Sequence, residues 1–365
     1  MTILIFLLIL TTLVLVHEFG HFIIAKKMGV KVEEFGIGLP PRLFGVKKGE
    51  TLYSVNLLPL GGFVKLYGEE YDELDRKKPN VWNKNRTFIN KKPWQKTLII
   101  LGGVVGNFLL GWFIFSYLIT QGIPVPINKV IVEKVTKNSP ADIAGLKEKD
   151  FILKLIPPLP RRSLGEDGPI SLTSSTALIS LTQKYASQKI GLLVQRNNQS
   201  LTINLVPRKN PPKGEGPLGI AITSFIEKKY PWYVAPYYGL IEAFNIIFKI
   251  TFELGKLLLG LITFQKLNVD VAGPVGIANL AGQAIKFGRN AFLEFLALLS
   301  LNLAIINIFP FPALDGGRLV FVLYEGIFKK KPNKNIEKYT NLIGFMILLS
   351  LAALITVNDI VKLFK

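Results

Sequence analysis

The chain of 365 residues is 49% hydrophobic, carries a formal charge of +19 and contains no cysteine. That balance is too apolar for an ordinary soluble enzyme and too charged for a bundle of membrane helices alone, and the lack of cysteine excludes disulfides and thiolate ligands. Nucleic acid and a membrane surface would suit the charge equally, but the basic residues gather beside apolar segments, so the expected partner is membrane lipid and no nucleic acid.

Ile3 to Ala25 is the first apolar span, about 35 Å as a helix and enough to cross a bilayer, closed by Lys26 and Lys27. It lacks the basic leader and small-residue cleavage pattern of a secretory signal, so residues 1–28 are expected as a retained transmembrane helix. Residues 29–96 are basic and hold two extended runs, Thr51–Leu58 and Phe63–Tyr67. The turn residues Pro59-Leu60-Gly61-Gly62 would join them into a β-hairpin. Residues 97–120 are uncharged and form a second span, whose Gly102, Gly106 and Gly111 offer a small-residue face for helix packing. Residues 121–227 turn to a soluble mix of short strands and polar turns, including a loop at Pro157–Gly168.

Tyr230 to Phe264 is apolar, but Glu242, Lys249, Glu253 and Lys256 interrupt it near helical spacing. Residues 228–290 are therefore expected as an interfacial or re-entrant helical segment. Residues 291–328 form a third span broken by Pro310 and Pro312, and residues 329–365 a basic loop followed by the last span. The short basic loops put residues 29–96 and 329–338 on the cytoplasmic side and the 121–227 domain outside. With 230–264 at the interface rather than crossing, His17 and Asp315 reach the same half of the bilayer.

The sharpest signal is His17-Glu18-Phe19-Gly20-His21, which uses both histidines of the chain. Residues four apart share a helix face, so both imidazoles can meet one metal ion, with Glu18 beside them as general acid and base. His17 lies about 21 Å along a helix from Ile3, inside the hydrocarbon region, where ionisable groups are costly and usually functional. Two histidines leave a tetrahedral zinc ion (Zn2+) one protein ligand short beside its open water position. Asp315, in the proline- and glycine-broken segment Asn307 to Gly317, is the candidate, because a carboxylate between apolar segments needs a cation. A silent membrane scaffold would not need Glu18 between the histidines. A metal transporter would need charges in the second and last spans, which carry none.

These residues resemble the site-2 protease family of intramembrane zinc metalloproteases, most closely the bacterial regulator of sigma-E protease group. The resemblance rests on His17-Glu18-x-x-His21 and Leu314-Asp315-Gly316, and it continues through Pro59–Lys65, Gly103–Phe108 and Gly273–Ile277. It implies zinc on His17, His21 and Asp315, with Glu18 catalytic. It further implies that Asn302 and Asn307 hold an unwound substrate and that the hairpin, through Gly61, Gly62 and Phe63, is a membrane-associated β element offering it an edge.

Asn138–Leu146 with Asp150 looks like the signature turn of a PDZ domain, and Leu218-Gly219-Ile220 is similar to a carboxylate-binding loop. Such a domain either captures a peptide C-terminus or excludes bulky ectodomains. Lys149 stands where a glycine usually precedes the aspartate, which tells against peptide capture. The expected fold is thus an α-helical polytopic membrane protein of about four transmembrane helices, with an inserted extracytoplasmic PDZ-like β domain and a cytoplasmic membrane-associated β-hairpin. The expected function is hydrolysis of single-span membrane proteins, anti-sigma factors or remnant signal peptides, in the bacterial cytoplasmic (inner) membrane. The active site would lie toward the cytoplasm.

Overall fold

A run of Leu, Ile, Val and Phe with no proline makes Thr2–Lys27 one helix, α1, in the computed structural model, which describes residues 2–69, 84–158, 168–212, 214–263 and 272–363. The chain forms two units, residues 1–120 with 231–365, and residues 121–230. Four helices of the first unit are long and apolar enough to cross a membrane: Leu4–Lys27, Pro93–Gln121, Arg289–Ile308 and Asn335–Lys362. Each coincides with a span read from the sequence.

Helix α2, Pro93–Gln121, starts on a proline, which loses no helical hydrogen bond at that position. It meets α1 backbone to backbone. A Cβ on Gly20 would stand 2.0 Å from the Gly102 carbonyl oxygen, and one on Gly106 2.7 Å from that of Val16. Only glycines permit this approach, which brings the two helices into contact where α1 carries its histidines.

Between these helices run β1, Val32–Lys48, and β2, Thr51–Leu66, paired antiparallel. The hairpin expected from the sequence needs correction. Thr51–Leu58 and Phe63–Leu66 do not pair with each other; Glu34–Ile37 lie between them, each with a partner on both sides, as Phe35 has Val64 and Tyr53. Pro59–Gly62 is not a closing turn but part of β2, laid along α1. A Cβ on Gly61, at φ +84°, would fall 2.9 Å from Val14, and one on Gly62 2.8 Å from Leu15. The Thr11 hydroxyl donates to the Pro59 carbonyl at 3.0 Å. These glycines serve close packing on a helix, which has the same sequence signature as a turn.

The second unit holds β3 (Ile123–Val135), α3 (Pro140–Ile143), β4 (Phe151–Ile156), β5 (Ile170–Ser171), α4 (Ser175–Lys184), β6 (Ile190–Arg196), β7 (Gln199–Leu205) and β8 (Ile220–Lys228). The sheet order is β7-β6-β4-β3-β8, with β5 added beside β4. Val130, Ile152, Leu155, Leu178, Leu192 and Val194 are fully buried in its core. Ser139 and Ser174 cap the two helices through their side-chain oxygens. Asp150 is buried and grips Arg196 through both oxygens at 2.6 and 2.7 Å. Lys149 takes φ +69°, the backbone that a glycine adopts freely. The expected loop Pro157–Gly168 lies, over residues 159–167, outside the described residues.

After this insertion α5, Ala235–Ile262, packs on α2 through Ala243 and Ile246 against Phe115 and Leu118. Its Glu253 and Lys256 form an exposed ion pair, and it is not among the four long apolar helices. Residues 264–271 lie outside the described residues. Helix α6, Pro274–Lys286, sets Ala281 against Ile9 and Leu13 of α1. Helix α7, Arg289–Ile308, ends before the two prolines, and α8, Asp315–Phe328, begins on the aspartate. The chain folds so tightly here that a Cβ on Gly316 would sit 2.1 Å from the Phe309 carbonyl oxygen. Helix α9, Lys334–Leu363, touches this segment where Gly344 meets Pro312. Lys96 of α2 and Glu325 of α8 close a buried ion pair at 2.7 Å.

Candidate active site

Helical spacing puts His17 and His21 on one face of α1, with ring centroids 4.7 Å apart and planes at 88°. The sharp reversal after α7 delivers Asp315 to the same point from nearly three hundred residues away. His17 Nε2 and His21 Nε2 lie 2.9 and 3.1 Å from Asp315 Oδ2 and 3.1 Å from each other. Three donor atoms at the corners of so small a triangle suit one cation. Tetrahedral zinc with bonds of about 2.0–2.1 Å needs ligand atoms about 3.3 Å apart, a few tenths beyond the spacing present.

Tautomer chemistry agrees. His21 Nδ1 lies 2.8 Å from the Ile99 carbonyl oxygen, an acceptor only, so the proton is on Nδ1 and the Nε2 lone pair is free for a metal. The donor set of two imidazole nitrogens and one carboxylate oxygen is one that zinc takes in hydrolases.

Glu18 follows His17 but points to the strand. Its Oε2 accepts the Val64 backbone N–H at 3.0 Å, which fixes the carboxylate beside the cluster. Glu18, His21 and Asp315 border one cavity of about 80 Å³. Arg318, one turn beyond Asp315, pairs with Glu69 at the end of β2, and both also line that cavity.

The profile of peptidase family M50 matches residues 5–351. The chain belongs to this family. It is 37% identical to a chain of Clostridium perfringens named as a zinc metalloprotease, over 97% of each. It is 32% identical to one of Clostridium acetobutylicum so named, over 96% of this chain and 94% of that one. It is 29% identical to the regulator of sigma-W protease of Bacillus subtilis, over 100% of this chain and 99% of that one. This M50 peptidase is therefore a zinc metalloprotease and, with its four apolar spans, fits an integral membrane protein.

The other residues singled out from sequence divide. Asn307 comes to the cluster of His17, His21 and Asp315, its amide nitrogen 3.4 Å from both ring nitrogens of His17. Asn302 does not join it: it lies five residues earlier on α7, about 140° around the helix, and its side chain makes no hydrogen bond among the described residues. Gly61, Gly62 and Phe63 lie on the stretch of β2 that runs along α1 toward Glu18. In the second unit Leu218 and Ile220 line a groove of about 720 Å³ between α4 and β8, edged by Lys184, Arg208 and Lys209. Gly219 turns at φ +71° against Ser139.

In the sequence Gly103 stands only in the stretch Gly103–Phe108 that carries the resemblance, with no role at the site. Its neighbours Gly102 and Gly106 face backbone, but a Cβ on Gly103 would stand 2.5 Å from His21 Nε2 and 2.6 Å from His17 Cε1. Gly103→Ala is expected to push the imidazoles apart and lower zinc affinity about 10- to 100-fold, despite a helix propensity better by about 1 kcal/mol. Competition with a chromophoric chelator measures it; an unchanged affinity would mean that α2 does not hold the imidazoles.

Proposed function

We propose that this M50 protease hydrolyses peptide bonds of single-span membrane proteins within the bilayer. In this reading His17, His21 and Asp315 hold zinc and Glu18 is the catalytic acid and base. One observation carries the reading: two imidazole nitrogens of an apolar helix long enough to cross a membrane and a carboxylate oxygen from the start of α8 converge within about 3 Å of one another.

Zinc held there supplies a Lewis acid for the scissile carbonyl and lowers the pKa of the attacking water. With Oε2 engaged by Val64, the other oxygen of Glu18 is free to take the water proton and pass it to the leaving amine. Asn307, beside His17, is placed to donate to a developing oxyanion. A transmembrane helix offers no free backbone for attack, so the substrate must be extended first. Val64 donates outward from β2 rather than to its neighbour strand, which supports docking of an unwound segment along this edge.

The short basic loops support a bacterial cytoplasmic membrane setting with the active site on the cytoplasmic half and the 121–230 unit outside. That unit we read as PDZ-like. Its groove of about 720 Å³ is apolar along Leu178, Leu218 and Ile222 and rimmed by Lys184, Lys209 and the Arg208–Glu215 ion pair, which suits capture of a peptide C-terminus or, with Lys149 at the turn, exclusion of bulky ectodomains. The name of the Bacillus subtilis relative ties that protease to regulation of a sigma factor, which suits anti-sigma factors as one substrate class here beside remnant signal peptides.

The test uses the purified full chain in lipid vesicles with a single-span substrate tagged at both ends. Intact mass of the fragments should put the cut inside the apolar span, and a zinc chelator should stop it. Cleavage confined to the flanking soluble segments would overturn the intramembrane reading.

A further inference from the structure

The free edge of β2 beside the site is occupied by the chain's own carboxylates. Tyr67 donates its backbone N–H to the Lys31 carbonyl at 2.9 Å, toward the neighbouring strand. Because successive N–H groups of a strand alternate in direction, those of Leu66 and Val64 point the other way. Val64 ends on Glu18. Leu66 ends on Glu69, whose Oε2 accepts its N–H at 3.4 Å. Glu69 stands in the turn that follows β2, outside the ladder. Its carboxylate therefore sits where the carbonyl oxygen of an added strand would accept.

The other oxygen of Glu69 holds Arg318 of α8. That guanidinium is 45% exposed, and most of its donors make no hydrogen bond among the described residues. Val64, Leu66, Glu69, Arg318, Asp315 and Glu18 all border the same cavity. At about 80 Å³ it has room for a few waters and not for an extended peptide, so a substrate must open it. The Leu66 cap is the weak point of this wall. A hydrogen bond of 3.4 Å is longer than the usual ladder bond, and releasing it breaks no strand pairing.

We propose that Glu69 is a stand-in for the substrate and Arg318 a substrate-binding residue held ready by it. An extended segment adding to β2 takes the Leu66 N–H with a backbone carbonyl oxygen and displaces Glu69, and Arg318 turns from Glu69 to that same oxygen. Val64 stays with Glu18. A guanidinium that loses its carboxylate partner needs another acceptor, and the docked carbonyl supplies one. The proposal rests on the reading above that the substrate docks along this edge.

The experiment uses the full chain in vesicles with the tagged single-span substrate and compares Glu69→Ala, Glu69→Gln and Arg318→Ala for kcat, KM, zinc content and thermal unfolding. Glu69→Ala removes a competitor for Leu66 and should lower KM several-fold. Glu69→Gln, which keeps an acceptor but frees Arg318, should lower it by less, and it serves if the alanine variant does not fold. Arg318→Ala loses a charged hydrogen bond to the substrate and should raise KM about tenfold. All three should keep stoichiometric zinc. A pair that merely staples β2 to α8 would behave differently: both single variants would lose stability and activity together, and exchanging the two charges by Glu69→Arg with Arg318→Glu would restore them. KM moving the same way in Glu69→Ala and Arg318→Ala, unchanged KM in both, recovery in the exchanged chain, or loss of zinc from Arg318→Ala would each overturn the proposal. A substrate with a photoreactive residue next to the cut should label β2; a label on other elements alone would remove the docking reading itself and the proposal with it.

Discussion

Glu18→Gln should keep its zinc and lose its cleavage. The amide still accepts the Val64 N–H through its oxygen, so the strand stays in register with α1, and Glu18 is not among the three groups whose ligand atoms converge. What disappears is the group that takes a proton. General acid–base catalysis contributes roughly 100- to 10,000-fold, about 3–5 kcal/mol of barrier, and cleavage of the tagged single-span substrate should fall by that much. Elemental analysis should find the metal still stoichiometric. The pair of measurements separates roles: lost zinc would make Glu18 a ligand, and undiminished cleavage would remove it from the reaction.

The three residues that converge, His17, His21 and Asp315, were legible in the sequence because each is marked locally. Two histidines one turn apart on an apolar run announce a shared helix face, and Asp315 announces itself by standing where the apolar run is broken by prolines. What surrounds them is not local. The acceptor of His21 is a backbone carbonyl, that of Ile99, which leaves no mark in side-chain identity. Gly103 lies beside the packing glycines Gly102 and Gly106 and looks like them in sequence; only the crossing of α1 and α2 separates those that meet backbone from the one that meets imidazole.

The strand β1 was missed for a different reason. Val32–Lys48 mixes two glutamates, three glycines and a proline pair, and its partners flank it on two sides, so no alternation of apolar and polar residues develops. With its central segment unseen, the runs on either side seemed to pair with each other. Gly61 and Gly62 then read as their turn, although their lack of side chains is what lets β2 lie on Val14 and Leu15.

Asp315→Ala tests the longest-range contact in the site. The substitution removes the one carboxylate of the triangle and leaves two neutral imidazole nitrogens 3.1 Å apart, too few protein donors for a zinc site of ordinary strength. Losing an outer partner already costs about 10- to 100-fold in affinity; losing an inner, charged ligand should cost more, and cleavage should disappear with the metal. The fold should survive. Asp315 opens α8, where a negative charge at a helix N-terminus contributes about 0.3–1 kcal/mol, while the reversal that carries it depends on Gly316 and Gly317 and the α2–α8 contact on Lys96 and Glu325. Asp315→Asn, with the same shape, separates charge from space: it should fold alike and still bind zinc poorly. Full zinc occupancy in Asp315→Ala would mean that another group completes the site.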